Sequence, residues 1–255
     1  MQMRMIEFLS NLARNGKTFT FEDAYKISQI ERTYLRKILY RLQKKGMIER
    51  VARGKYIIIP LEGEKGKYTL HEFVIGSLLV SPYAISYWSA LNYYGMTEQI
   101  PSTVFLQTTA WKRKQKIEIF GVKYKVVRTK KEKFFGIRKE WIEETEINIT
   151  DREKTIIDCL DKPQYCGGIV EVAKALKDKR LKKEKLAQYA IKIGNSGVIR
   201  RLGFLCDYFG IKIDLVPPET RNYLLLDPTM PEKGNKNAKW KLIINLDEKI
   251  LGKLE

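Results

Sequence analysis

Between Ser28 and Ile59 the apolar residues first follow a helical spacing and then the spacing of two short strands. Leu35, Ile38, Leu39 and Leu42 recur at i, i+3, i+4 and i+7, which predicts a helix with one buried stripe. At about 100° per residue, the opposite face carries a hydroxyl, a phenol and cations. These are Thr33, Arg36, Lys37, Tyr40 and Lys44. Such a face suits a helix in a DNA major groove, where these groups reach base edges and phosphates.

Two further helices precede this one. The first has its apolar stripe at Met5, Phe8, Leu9 and Leu12. Thr20 and Asp23 have capping-box spacing and open a second helix, while Ser28 and Glu31 repeat that spacing before the third. Strands 47–52 and 55–59 then flank Arg53-Gly54, which predicts a hairpin. This order of elements predicts a winged helix-turn-helix domain over residues 1–60.

The rest of the chain predicts a larger mixed α/β domain, which makes the fold class α+β. A charged, Gly-containing linker is expected at 61–68, followed by a C-terminal domain at 69–255. Helices are predicted at 71–80, 86–94, 151–160, 168–177, 182–193 and 196–209. Strands are predicted at 103–108, 116–120, 123–128, 146–149, 223–226 and 240–246.

Charge and composition narrow the class of partner. The formal net charge is +18 and 44% of residues are hydrophobic, which indicates a folded protein with an anionic partner, nucleic acid first of all. Three cysteines and one histidine are too few and scattered for a zinc site or a disulfide framework, so a reducing compartment is expected. The start is not typical of a signal peptide, and no apolar run approaches the ~20 residues of a membrane span. A cytoplasmic protein is therefore expected.

The densest group of cations lies in the third helix and the hairpin. Between Ile30 and Tyr56 there are nine Lys or Arg and two acids, which is difficult to explain by a solvated helix face alone. Arg36 is the candidate for a base contact, and Arg41, Lys44 and Lys45 are candidates for phosphate contacts. The predicted DNA-binding residues are Arg32, Thr33, Arg36, Lys37, Tyr40, Arg41 and Lys44 on the helix, with Arg50, Arg53 and Lys55 on the wing.

Two other basic tracts lie further along, at 110–139 and 174–201. They could contact nucleic acid or an acidic partner, or they could form a generally basic surface, and the sequence leaves both open. The candidate secondary contacts are Lys112, Arg113, Lys114, Arg200 and Arg201. One of the two adjacent arginines could instead pair with an acid.

An acidic group near residue 151 raises the possibility of a nuclease. The acid–x–Lys spacing of metal-dependent nucleases is absent, because Glu153 and Lys154 are adjacent. Thr150 with Glu153 is better explained as a capping box, and Lys154 with Asp158 as an i,i+4 surface pair. The sequence therefore predicts no catalytic residue, no metal site and no cofactor.

Several long strings are similar to those of the abortive-infection antitoxin regulators of the AbiEi type. They are SPYAISYWSALNYYGMTEQIPSTVFLQTT (81–109), DREKTIIDCLDKPQYCGGIVEVAKAL (151–176), RRLGFLCDYFG (200–210), LLLDP (224–228) and KWKLIIN (239–245). They occur in the family's usual order behind the predicted winged helix, and the resemblance covers nearly the whole chain.

The resemblance implies a transcriptional regulator that binds inverted repeats in double-stranded DNA upstream of its own operon. It also implies the antitoxin of a two-gene phage-defence (type IV toxin–antitoxin) system whose toxin is nucleotidyltransferase-like, countered without a stable complex. Two rival classes stay open: a nucleic-acid-processing enzyme, and a protein-binding antitoxin with a vestigial DNA module. The sequence does not determine the operator or the oligomeric state.

Overall fold

The computed structural model describes residues 2–14, 16–59 and 70–247. Helices and sheets occur together along these ranges, which confirms the α+β class. The helices are α1 (Gln2–Ala13), α2 (Phe21–Ser28), α3 (Arg32–Lys44), α4 (Glu72–Ser77), α5 (Tyr87–Tyr93), α6 (Arg152–Asp161), α7 (Ile169–Ala175), α8 (Lys183–Lys192) and α9 (Ser196–Tyr208). The strands are β1 (Thr18–Thr20), β2 (Ile48–Ala52), β3 (Lys55–Ile58), β4 (Ala84–Ile85), β5 (Thr103–Thr108), β6 (Lys116–Ile119), β7 (Val122–Arg128), β8 (Ile137–Ile142), β9 (Thr145–Thr150), β10 (Leu224–Leu225), β11 (Asn235–Asn237) and β12 (Leu242–Ile244).

The chain divides into two compact units. The first comprises Met1–Ser81, Glu118–Val122 and Glu140–Ile147, and the second comprises Pro82–Ile117, Lys123–Lys139 and Asn148–Glu255. The predicted linker at 61–68 lies outside the described residues. The boundaries 1–60 and 69–255 therefore stay a prediction.

The N-terminal elements pack three helices against a small antiparallel sheet. Their core contains buried residues from all three helices and from the sheet: Leu9, Leu12, Phe19, Ala24, Leu35, Leu39, Leu42 and Ile48. The sheet order is β1-β3-β2, so the predicted hairpin forms with an extra edge strand that pairs Thr18 with Ile57. Gly54 has a φ of 70° in the hairpin turn, a conformation that glycine adopts at no steric cost.

The two predicted capping boxes of this region have different outcomes. At α2 the box is confirmed, because Thr20 Oγ1 accepts from Asp23 N at 3.1 Å and the Asp23 carboxylate accepts from Thr20 N at 2.8 Å. At α3 the prediction is wrong, because Ser28 ends α2 and Glu31 is itself the N-cap residue. The Glu31 carboxylate accepts from Thr33 N at 2.8 Å and from Tyr34 N at 2.9 Å.

A six-stranded mixed sheet runs through the middle of the chain in the order β6-β7-β5-β4-β9-β8. Strands β5 and β7 are parallel, and their register pairs Thr103 with Lys123 and Thr108 with Arg128. Strand β8 was not predicted, because its sequence IRKEWI mixes charged and apolar residues without clear alternation. A smaller sheet, β10-β12-β11, lies near the end of the described chain, and its strand β11 is not among the predicted strands.

Helix α6 is the central helix of the second unit and is buried along most of its length. The Lys154–Asp158 ion pair was expected on the surface, but both side chains are buried, and Gln107 Nε2 donates to Asp158 Oδ2 at 3.1 Å. Burial raises the pKa of Asp158, although the nearby Lys154 ammonium opposes that effect. The predicted Thr150–Glu153 box is also wrong: Asp151 caps the helix, and the Glu153 carboxylate accepts from Lys182 N at 2.9 Å.

Candidate nucleic-acid interface

Helix α3 presents two contrasting faces. Leu35, Leu39 and Leu42 are buried and Ile38 is half-buried, as the spacing predicts. The opposite face is exposed and carries Thr33, Arg36, Lys37, Tyr40 and Lys44. Arg41, at the edge of this face, and Lys45, which caps the end of α3, are exposed as well. Tyr40 is 59% exposed although it is a large aromatic side chain. The apolar face of α3 is thus used for packing within its own unit, which leaves the cationic face accessible.

Arg36 and Lys44 are held by aromatic rings and not by carboxylates. The Arg36 guanidinium lies 5.6 Å from the centroid of the Phe21 ring, and Lys44 Nζ lies 5.3 Å from that of Tyr40. In the part of the chain that the structure describes, neither cation takes part in an ion pair, and neither does Lys37 or Arg41. A cation over a ring keeps its full charge for a ligand while its side-chain freedom is reduced.

Arg32 differs from the other cations of α3. Its Nη1 and Nη2 atoms donate to the two carboxylate oxygens of Glu22 at 2.9 and 2.8 Å, and its guanidinium lies 4.6 Å from the centroid of the Tyr25 ring. The hydrogen bond to Glu22 raises the pKa of Arg32. This predicted DNA contact is therefore already paired with a carboxylate of α2. A separation of ten residues in sequence gives no signal of this partner.

The hairpin supplies a second set of cations. Arg50 and Arg53 are exposed, and Arg50 Nε donates to the Ala52 carbonyl at 3.3 Å. Lys55 is half-buried, and burial lowers its pKa. Tyr56 stacks on Phe19 with ring centroids 5.3 Å apart and also lines the cleft beside α3.

A cleft lies between α3 and the hairpin and brings part of the predicted set together. Its lining includes Arg32, Arg36, Tyr40, Arg50 and Arg53. Thr33, Lys37, Arg41, Lys44 and Lys55 do not line it. Gln43 lines the cleft but is not among the predicted contacts, although its position seven residues after Arg36 places it on the same side of the helix. The cleft combines guanidinium, phenol and amide groups, which can donate to phosphates and to base edges. It also contains the Glu22 carboxylate that pairs with Arg32.

Arg200 and Arg201 are a correction to the predicted secondary contacts. They are 5% and 8% exposed, and they bind backbone carbonyls within their own unit instead of facing solvent. Arg201 donates to the carbonyls of Leu160, Leu225 and Leu226 at 3.0, 3.3 and 3.0 Å, while Arg200 donates to that of Asn222 at 3.0 Å. Burial lowers the pKa of both guanidinium groups. Neither arginine forms an ion pair among the described residues, and little of either side chain is open to solvent.

The other secondary candidates lie in the loop that joins β5 to β6. Arg113 and Lys114 are exposed and Lys112 is half-buried. Since they belong to the second unit, no common surface with α3 follows from them. Across residues 2–14, 16–59 and 70–247, no three His, Cys, Asp or Glu side chains are grouped so that they could hold a metal ion. None of the described helices has the length and apolar composition to cross a membrane.

Comparisons with known proteins agree with the family resemblance in one segment. Residues 7–59 match the family model described as "Transcriptional regulator, AbiEi antitoxin". The recognition of an AbiEi-type regulator is thereby confirmed for the segment that contains α2, α3 and the hairpin. The match does not include the strings between residues 81 and 245.

A solved structure shares the fold of almost the whole chain. The RV2827C protein from Mycobacterium tuberculosis superposes with a TM-score of 0.66 and 15% sequence identity, over 97% of this chain and 94% of that one. At this identity the similarity establishes the fold alone. The curated proteins contain no match to this sequence.

Proposed function

We propose that the protein is a sequence-specific DNA-binding transcriptional regulator whose N-terminal elements form a winged helix-turn-helix. The observation that carries the proposal is the outer face of α3, where exposed cations without carboxylate partners flank a cleft that the hairpin completes. The order of three helices and a hairpin, with α3 packed through its leucine stripe, supports this assignment. The match of residues 7–59 to a family of regulators supports it independently.

In this mechanism the basic protein is first drawn to DNA by charge, and α3 then enters the major groove. Arg36, oriented over Phe21, donates to the O6 and N7 atoms of guanine. Arg41, Lys44 and Lys45 bind phosphates and set the register, while Arg50 and Arg53 reach the backbone or an adjacent minor groove. Occlusion of a promoter follows from occupancy of the operator.

We further propose that the operator is an inverted repeat upstream of the protein's own operon, and that the protein is the antitoxin of an AbiE-like defence pair. The support is the match of residues 7–59 to a family of AbiEi antitoxin regulators, together with the sequence strings of the second unit. The partner gene would encode a nucleotidyltransferase-like toxin, and the protein would act in the cytoplasm without catalysis or a cofactor. An inverted repeat needs two copies of α3, so two protomers would occupy one operator.

Fluorescence anisotropy with the duplex upstream of the gene tests the regulator proposal. The wild-type protein is expected to bind this duplex more tightly than a scrambled duplex of equal length. If about six to ten phosphates are neutralised, the affinity falls by ~10³–10⁵ between 50 and 200 mM salt. The double variant R36A/K44A should lose most of this binding, whereas the exposed control K179A should keep it. Equal binding of the operator and the scrambled duplex, or an R36A/K44A variant that binds like wild type, would overturn the proposal.

A further inference from the structure

An exposed tryptophan lies in the middle of the basic loop between β5 and β6. Trp111 is 71% exposed and is followed directly by Lys112, Arg113 and Lys114. Residues 109–117 contain no acidic residue and no second aromatic one. The indole makes no ring contact in the part of the chain that the structure describes. One face of a large aromatic ring is thus offered to solvent beside a row of cations.

The loop that carries this tryptophan is hydrogen-bonded at both ends. At the start, Ala110 N donates to Thr108 Oγ1 at 3.1 Å. At the end, Val126 N donates to the Gln115 carbonyl at 2.8 Å, and Lys125 Nζ donates to Gln115 Oε1 at 3.1 Å. A loop held in this way presents its side chains with a smaller loss of conformational entropy on binding.

More cations converge on the same end of the sheet. The register pairs Thr108 with Arg128, and Thr129 N donates to the Thr108 carbonyl at 2.8 Å, so β7 ends beside the start of the loop. Arg128 and Lys130 are exposed there. The described residues include no ion pair of Arg113, Lys114 or Arg128. Cations from two segments of the second unit, the loop after β5 and the end of β7, therefore lie at the same end of the sheet as Trp111.

We propose that this surface binds single-stranded nucleic acid, with Trp111 stacking on an unpaired base and Arg113, Lys114 and Arg128 binding the flanking phosphates. A single strand offers a free base face on which the indole can stack and phosphates that the cations can bind. In duplex DNA the bases are stacked on one another, so no base face is available to the indole. A membrane or a hydrophobic protein surface fits less well, because the loop has no second large apolar side chain beside Trp111.

Trp141 provides a matched control within the same chain. It is 67% exposed, close to the value of Trp111, and it lies in β8. Its sequence neighbours include Glu140, Glu143 and Glu144, whose charge would repel a phosphate backbone. The proposal therefore predicts that two equally accessible tryptophans differ in their effect on nucleic-acid binding.

The test is an anisotropy titration of labelled oligo(dT), oligo(U) and a duplex of equal length with the full-length protein. Because stacking of one base on an aromatic ring corresponds to about 5- to 150-fold in affinity, W111A should weaken single-strand binding by that factor. W111F should retain most of the affinity, and W141A should retain all of it. R113A/K114A should lower the slope of log affinity against log salt by about 1.4, since each phosphate contact on a single strand contributes about 0.7. Tighter binding of oligo(U) or of oligo(dT) identifies the strand as RNA or DNA.

Single-strand binding by W111A at wild-type affinity, or an equal loss in W111A and W141A, would overturn the proposal. A loss of duplex binding in W111A without any single-strand binding by the wild type would do so as well. This site does not depend on the proposed operator function, because R36A/K44A should lose the duplex and keep the single strand. The two proposals can therefore fail separately.

Discussion

The guanidinium of Arg32 forms a forked ion pair with the carboxylate of Glu22, in which Nη1 and Nη2 donate to the two oxygens at 2.9 and 2.8 Å. The contact joins the first turn of α3 to the first turn of α2, which Thr20 caps. One of the cations nearest the cleft is therefore neutralised in the free protein, whereas Arg36 is not. The structure thus distinguishes a cation of α3 that is paired with a carboxylate from one that is not, which the sequence does not.

The Glu22–Arg32 pair leads to a prediction about DNA affinity. E22Q removes a negative charge from the edge of the cleft and releases Arg32, so duplex affinity should rise severalfold at low salt and less at high salt. R32A should weaken binding less than R36A does, because its charge is already paired. Anisotropy titrations at two salt concentrations measure both effects. A fall in affinity for E22Q would show that the pair itself forms part of the binding surface.

The two cations that lie over aromatic rings should behave differently from each other. R36A should relax the preference for one base pair at a cost of about 1–3 kcal/mol, because a forked contact to guanine is lost. K44A should weaken all sequences alike and lower the salt slope by about 1, because a phosphate contact carries no sequence information. A library of operator variants read by sequencing separates the two patterns. The assignment of α3 would be wrong if neither variant changed the selected sequences or the affinity.

The cap of α3 makes a prediction about pH. Hydrogen bonds from the backbone of Thr33 and Tyr34 lower the pKa of Glu31 below its ordinary value of about 4.5. A carboxyl group whose pKa is lowered by folding stabilises the protein above its unfolded pKa, and this contribution is lost as the pH falls through the folded pKa. The difference in Tm between wild type and E31A should therefore be largest near neutral pH and shrink below about pH 4.5.

Two controls sharpen the pH experiment. E31Q keeps an acceptor oxygen without the charge, so its Tm should lie between those of wild type and E31A at neutral pH. Glu7 is exposed and caps no helix, so E7A should lower the Tm less than E31A does at neutral pH. A Tm difference for E31A that stays constant across the acid range would contradict the charged-cap account.

The buried arginines of α9 predict a separation of stability from binding. R201M leaves three backbone carbonyls without their donor and should lower the free energy of unfolding by roughly 2–4 kcal/mol. R200M should cost less, because Arg200 makes one short bond and its Nε has no partner in the described part of the chain. Denaturant titration measures these losses, and duplex affinity of the folded variants should not change. A loss of duplex affinity in folded R201M would show instead that Arg201 contributes to DNA binding.

Local patterns predicted the N-terminal elements because their determinants are close in sequence. The leucine stripe of α3 and the Thr20–Asp23 cap depend on spacings of three or four residues. Strand β1 has three residues, which is too short for a periodic signal, and it forms because β3 supplies its partners. The wrong prediction of Ser28 as the cap of α3 has a similar cause. Ser28 and Glu31 both carry an acceptor oxygen close to the start of the helix, and only the backbone geometry selects Glu31.

The site could be predicted in part for the same reason. The leucines of α3 occupy its buried face, so the sequence was sufficient to predict that Arg36, Lys37 and Lys44 are exposed. The burial of Arg200 and Arg201 was not visible, because their carbonyl partners are contributed by residues 22–41 positions away. A count of cations along a chain does not distinguish a guanidinium that faces solvent from one that binds backbone carbonyls.

Lysine labelling with a small acylating reagent, read by mass spectrometry, tests most directly whether the outer face of α3 meets DNA. In the free protein Lys37, Lys44 and the exposed control Lys179 should all react readily. With the upstream duplex bound, Lys37 and Lys44 should be protected and Lys179 should react as before. Unchanged labelling of Lys37 and Lys44 at saturating duplex, or their failure to react in the free protein, would contradict the account.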